Sequence, residues 1–250
     1  MRTFITGASS GLGEALALHY GRSEATIGLM ARRAPLLEQL AERLRNAGAT
    51  VQVYAADVSD TDGVRLAAAD FVERAGGADL VIANAGVGST DSLLAGDSES
   101  VARLMWVNVI GVTNTIVPFV PVMRRQGSGT LVAMSSMAGH RGLPWNTAYS
   151  ASKAAVIAFM DGLRMQLAGT GVHAMTLCPG FVRTPMTAKL RHWLPFLLDT
   201  DAAVTLMTRA IERRERTYSF PWQMQLVRRV MLHAPEWLVR RVAAAARTSD

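Results

Sequence analysis

RTFITGASSGLGEAL, Arg2 to Leu16, passes from a short apolar segment through a glycine-rich turn into a stretch with helical spacing. Gly7, Gly11 and Gly13 let the backbone turn tightly and approach a ligand closely. The helix that opens after them offers unpaired N–H groups to a phosphate. The spacing is GxxxGxG, whereas the common dinucleotide fingerprint is GxGxxG. A glycine-rich turn by itself is weak evidence of a nucleotide site. Its place after the first strand of a strand–helix–strand pattern strengthens it.

That pattern runs on along the chain. RTFIT, ATIGLMA, TVQVYA, ADLVIAN, GTLVAMS and VHAMTLC are short apolar runs of buried-strand type. Between them, PLLEQLAERLRNAG and TDGVRLAAADFVERAG place apolar residues at helical spacing and end at Gly. Such alternation predicts an α/β fold: one Rossmann-type, doubly wound parallel sheet of about seven strands, with helices on both faces. No repeat, low-complexity tract or linker interrupts it, so residues 1–250 are expected to form one nucleotide-binding domain. Pro118 and Pro121 predict a kink in the helix that holds them. Residues 185–200 have no clean period and are expected to form a mobile lid. TYSF (217–220) is expected to add a last strand, followed by a helical extension over 222–247.

Composition narrows the function classes. No apolar run approaches the roughly 20 residues of a membrane span. The N-terminus shows no signal-peptide pattern, and the single Cys178 excludes an intramolecular disulfide and a thiolate metal cluster. A cytoplasmic protein with no bound metal is expected. Net charge is +6, and from Arg209 onward nine Arg face four acidic residues. A near-neutral body with a basic tail argues against nucleic-acid binding and leaves an anionic membrane open. Packing of the tail on its own domain or on a partner subunit is the preferred expectation.

YSASK (149–153) sets a phenol and an ammonium four residues apart on one helical face. A free phenol has a pKa of about 10, and a neighbouring cation favours its ionised form. Such a tyrosine suits proton transfer near neutrality. At the end of the second strand, where an NAD site usually has a carboxylate, the chain has Ala31, Arg32 and Arg33. A guanidinium suits a 2′-phosphate. NADP(H) is therefore expected over NAD(H), with Arg32 and a hydroxyl of Ser9 or Ser10 as ligands.

These motifs, with DV (57–58), NAG (84–86), NVIG (108–111), SSMAG (135–139) and PGFVRT (179–184), come in an order that resembles the short-chain dehydrogenases/reductases. The resemblance covers residues 1 to about 185. It implies an oxidoreductase that interconverts a carbonyl and a secondary alcohol. Tyr149 would exchange the proton, Lys153 would tune it and hold the nicotinamide ribose, and Ser136 would bond the substrate oxygen. Asn108 would hold a water on a proton path. Asp57 and Val58 would meet the adenine, Asn84 and Gly86 the ribose, and Val182 and Thr184 the carboxamide. Leu12, Ala85, Pro179 and Gly180 complete the cofactor-binding set through their motifs.

Relatives such as the 3-oxoacyl-carrier-protein reductases end in a strand that builds a tetramer, whereas this chain continues past TYSF. A homodimer through the long helices after strands four and five is expected instead. Met137, Leu143, Trp145, Val87 and the lid residues Met186, Leu190, Trp193, Leu194, Phe196 and Leu197 predict an apolar pocket for a lipophilic small molecule. A carrier-bound 3-oxoacyl reductase and a non-catalytic nucleotide-binding regulator are the alternative readings.

Overall fold

β1 (Arg2–Thr6) is an interior strand, third from one edge, of a seven-stranded sheet in which every pairing is parallel. The computed structural model describes residues 1–88, 93–190 and 194–247. β2 (Thr26–Ala31) and β3 (Thr50–Ala55) extend the sheet to one side of β1. β4 (Leu80–Ala83), β5 (Gly129–Met134), β6 (Val172–Pro179) and β7 (Thr217–Phe220) extend it to the other. The order is β3-β2-β1-β4-β5-β6-β7, so the winding reverses between β1 and β4. In open α/β sheets the ligand crevice lies at that reversal, past the carboxyl ends of the strands.

Side chains alternate across the sheet, and each face has its own apolar layer. Ile5 joins Leu16 of α1 (Gly11–Tyr20), Leu37 and Leu40 of α2 (Ala34–Asn46) and Met207 of α8 (Thr200–Glu212). Phe4 faces the other way, toward Phe71 of α3 (Thr61–Ala75) and Val156 of α7 (Thr147–Gln166). Phe4, Phe71 and Phe119 are fully buried, with Phe4 ring centroids 5.3 and 5.1 Å from the other two. Truncating one of these rings to Ala would cost about 3–5 kcal/mol. At the opposite end of the sheet from the crevice, Asp79 accepts from the Arg2 N–H at 2.8 Å and from its Nε at 3.1 Å, which clasps β1 to β4.

The helix that returns from β4 to β5 is one run in several pitches. α4 (Ser98–Met105) starts under Asp97, whose side chain accepts from the Ser100 N–H at 3.0 Å. A π-helical turn over Trp106–Ile110 follows, with the Gly111 N–H bonded to the Trp106 carbonyl. α5 (Gly111–Ile116), a 3₁₀ turn over Val117–Phe119 and α6 (Val120–Gln126) complete it. The expected kink at Pro118 is this 3₁₀ turn. The run Ser98–Gln126 holds an 18-residue window of mean hydropathy 1.4, enough to cross a membrane by length and composition alone, as the core helix of a folded domain also can be; no uninterrupted apolar run within it reaches about 20 residues. Its inner side, with Leu104, Val112, Ile116 and Met123, is buried in the protein.

Residues 185–200 contain a 3₁₀ turn at Thr187–Lys189 and an isolated bridge from Val182 to Leu198. Trp193 lies outside the described residues. β7 forms where TYSF predicts it. α9 (Trp222–His233) and α10 (Glu236–Arg247) follow it as the helical extension.

Candidate active site

The glycine turn closes on itself at the carboxyl end of β1. Gly7 has φ +69, a conformation that disfavours a side chain, and a Cβ on Gly13 would come 2.2 Å from the Gly7 carbonyl oxygen. Asn84 holds the turn from β4, its Nδ2 donating to the carbonyls of Thr6 at 3.1 Å and Gly7 at 3.3 Å. The Ala85 N–H reaches Thr6 Oγ1 at 3.4 Å, and Leu12 packs on the core beneath. A Cβ on Gly11 would touch Thr184 at 3.4 Å, so the turn and the 182–187 segment form two jaws of one cleft.

Ser10 caps α1 without a side-chain bond to its first turn. Its hydroxyl and that of Ser9 instead accept from Arg33, at 2.6 and 2.9 Å from Nη2. The sequence reading singled out Arg32 for this place. The structure turns Arg32 away, toward Asp57, with Nη1 to Oδ2 at 3.5 Å. Adjacent residues leaving a strand point to opposite sides, and only Arg33 is aimed at the turn. Asp57 also accepts from the Ser59 N–H at 2.9 Å and its hydroxyl at 2.7 Å. Burial pushes the Asp57 carboxyl up, but the Ser59 bonds and Arg32 outweigh it and hold the group below its ordinary range. Val58 is buried, and its carbonyl accepts from Asn114 at 2.9 Å.

α7 delivers Tyr149 and Lys153 to the same crevice. Lys153 is buried, its Nζ donating to the Met134 carbonyl at 3.0 Å and lying 5.7 Å from the Tyr149 ring centre. Burial lowers the Lys153 ammonium to a pKa of about 8. The Tyr149 phenol is moved upward, because burial outweighs its hydrogen bond with Ser136. Here the structure departs from the sequence expectation of a lowered phenol. The ammonium is engaged with Met134, and desolvation is the larger influence. Ser136, just past β5, accepts from the Ala138 N–H at 3.2 Å. Its own proton is left for the Tyr149 side or a substrate oxygen.

Asn108 is fully buried, carried inward by the π-helical turn. Its Oδ1 accepts from the Val87 N–H at 2.8 Å, and its Nδ2 donates to the Val87 carbonyl at 2.9 Å and to Ser152 Oγ at 3.1 Å. Ser152 in turn donates to the Tyr149 carbonyl at 2.7 Å. A side chain on Gly86 would press on Asn108 Oδ1 and Lys153 Nζ, which brings the 84–86 segment against the catalytic candidates.

On the far jaw, Thr187 was not singled out from sequence. Its hydroxyl donates to the Val182 carbonyl at 2.6 Å and accepts from the Thr184 N–H at 3.0 Å, fixing the shape of that segment. Pro179 closes β6, and the Gly180 N–H bonds the Phe220 carbonyl at 2.8 Å. Arg33, Ser152 and Thr187 are the additions that structure makes to the candidate set. A Ser or Thr two or three residues beyond a motif was the available signal for the last.

The residues fit a nicotinamide dinucleotide: an open helix N-terminus, a glycine cradle, a cation beside two hydroxyls, and a buried ammonium with a phenol. Residues 2–195 match the short chain dehydrogenase family. An uncharacterised oxidoreductase of Myxococcus xanthus is 41% identical over 245 residues, covering 97% of this chain and 96% of that protein. A short-chain dehydrogenase/reductase from Burkholderia phymatum, solved with NAD, superposes with TM-score 0.84 at 27% identity, covering 91% of each chain. A short-chain dehydrogenase from Sphingobium yanoikuyae, solved with NADPH, superposes with TM-score 0.80 at 26% identity, covering 99% of this chain and 95% of that one. With its cleft and its relatives in agreement, the chain belongs to the short-chain dehydrogenase family and is an NAD(P)-dependent oxidoreductase.

Proposed function

We propose that the protein interconverts a carbonyl and a secondary alcohol on a lipophilic small molecule, with NADP(H) preferred over NAD(H). When bound, the cofactor supplies or takes up the hydride. Tyr149 gives its phenolic proton to the substrate oxygen in reduction and takes one in oxidation. Ser136 donates a hydrogen bond to the same oxygen, stabilising charge as it develops. Lys153 holds the nicotinamide ribose and keeps a positive charge near the phenol, while Asn108 positions the loop around it. The observation that carries this reading is the meeting of Ser136, Tyr149 and buried Lys153 at one point, with Ser136 bonded to the phenol and Nζ 5.7 Å from the ring.

Cofactor preference rests on the Arg33 guanidinium beside Ser9 and Ser10, and on Ala31 where a carboxylate would repel a phosphate. Gly7, Gly11, Leu12, Gly13, Val58, Asn84, Ala85, Gly86, Pro179, Gly180, Val182 and Thr184 line the rest of the cofactor's course. Met186, Leu190 and Phe196 are exposed apolar residues beside the cleft, which supports a lipophilic substrate. Exposed Trp106, Val117 and Met165 on the helices after β4 and β5 support a homodimer through those helices. A cytoplasmic setting fits the sequence. The decisive experiment screens ketones and alcohols with NADPH and NADP against the pure protein. No turnover of any carbonyl or alcohol, with Tyr149→Phe indistinguishable from wild type, would overturn the reading.

A further inference from the structure

The two C-terminal helices have one face for the body of the protein and another for something outside it. Inward, Met224 and Val239 are buried, and Gln225 Nε2 donates to the Ser219 carbonyl. Arg141 Nη1 donates to the Ala234 carbonyl at 2.9 Å, pinning the junction between α9 and α10. The extension is therefore tied to the domain as a firm element. Yet Trp222, Leu226 and Val230, at four-residue spacing on α9, form a continuous outer stripe that is 70%, 58% and 58% exposed. Arg229, seven residues from Trp222, lies on the same side of α9 and is exposed; on α10, whose Val239 is buried, Trp237, Arg240 and Arg241 are exposed, Trp237 by 61%.

We propose that this outer face is an interfacial docking surface for an anionic lipid bilayer. The helices lie in the plane of the membrane, with the apolar stripe at the boundary of headgroups and acyl chains. The guanidiniums meet lipid phosphates, and the two Trp rings sit at the depth where such amphipathic rings are favoured. Charge decides between a bilayer and a second copy of the chain. Residues 222–247 carry five Arg against one acid, Glu236. A two-fold contact through this face would set Arg229, Arg240 and Arg241 against their counterparts, with one carboxylate per copy to offset them. An anionic headgroup surface supplies the missing negative charge.

The test uses full-length protein and sedimentation with vesicles of phosphatidylcholine alone or of phosphatidylcholine and phosphatidylglycerol in equal parts. Expected is binding to the mixed vesicles only, weakening as salt is raised. Arg229→Gln, Arg240→Gln and Arg241→Gln combined should lower partitioning about a hundredfold. Leu226→Ser with Val230→Ser should lower it about tenfold or more even at low salt. All five positions are outside the cofactor cleft, so each variant should keep the wild-type affinity for NADPH in solution. Wild-type protein that ignores the mixed vesicles overturns the proposal, as does binding that both variants leave intact. An oligomer that Leu226→Ser with Val230→Ser dissociates, in a protein that ignores vesicles, overturns it in favour of a second copy.

Discussion

Lys153 extends its ammonium to the carbonyl oxygen of Met134, 3.0 Å away at the end of β5, and is buried there. Burial lowers the group from 10.5 to about 8, so the folded protein sheds this proton while the unfolded chain still holds it. Stability should therefore rise with pH above about 8. The window closes near 9, because buried Cys178, raised from 9.0 to about 11, acts in the opposite sense beyond that point. Between pH 8 and 9 the gain should be about 1 kcal/mol. Urea unfolding at the two pH values should show it in wild type and not in Lys153→Met. An equal slope in both would remove Lys153 as its source.

Tyr149→Phe keeps the ring beside Lys153 and deletes the transferable proton. Burial holds the phenol protonated at neutral pH, the form a donor needs. Turnover of any accepted ketone should fall by about 10²–10⁴. The NADPH dissociation constant, read by fluorescence titration, should stay within about twofold. Retention of a tenth of the rate would argue for a different acid.

Arg33→Ala should weaken the use of NADPH more than that of NADH. Losing one charge-assisted hydrogen bond to a phosphate costs about 1.5–3 kcal/mol, or roughly tenfold and more in kcat/KM. Arg32→Asp removes a guanidinium paired with Asp57 and adds a carboxylate near the ribose end. It should shift the NADPH to NADH ratio in the same direction by a smaller factor. A ratio that moves with Arg32→Asp and not with Arg33→Ala would return the phosphate to Arg32.

Asn108→Ala should harm stability as well as rate. It leaves the Val87 N–H and carbonyl without their Asn108 partners, while Ser152 keeps its bond to the Tyr149 carbonyl. Each orphaned buried group costs about 1–3 kcal/mol. With two such groups, and about 2–4 °C per kcal/mol for a chain of this size, Tm should fall by roughly 4–24 °C. A variant with wild-type Tm and lowered turnover would confine Asn108 to the chemistry.

The strands and the glycine turn were legible because each rests on local signals: apolar runs of five or six residues, and Gly where the backbone approaches itself. YSASK was legible because four-residue spacing fixes a shared helical face. Arg32 and Arg33 were not separable in this way. Which guanidinium reaches Ser9 depends on the orientation of residues leaving β2, and that is set by the whole sheet. The π-helical turn at 106–110 left no trace in the apolar pattern, since one extra residue in a turn barely changes the period. Which side of α9 meets the body was likewise not separable from sequence. Apolar residues stand all round α9, and the fold buries Met224 and engages Gln225 while leaving Trp222, Leu226 and Val230 exposed.

The position of β1 bears on how the chain is made. Thr3 pairs with Ile27 on one side, but on the other its partner is Leu80. During synthesis β1, β2 and β3 can pair early, while the second edge of β1 stays open until β4 has emerged. That edge presents unpaired backbone N–H and C=O groups, with the apolar side chains of Phe4 and Ile5 on the two faces beside it, and an open edge of this kind invites pairing with a foreign strand. Slow translation between β3 and β4 would lengthen that exposure. The same strand that carries the glycine turn is thus open to mispairing until β4 arrives.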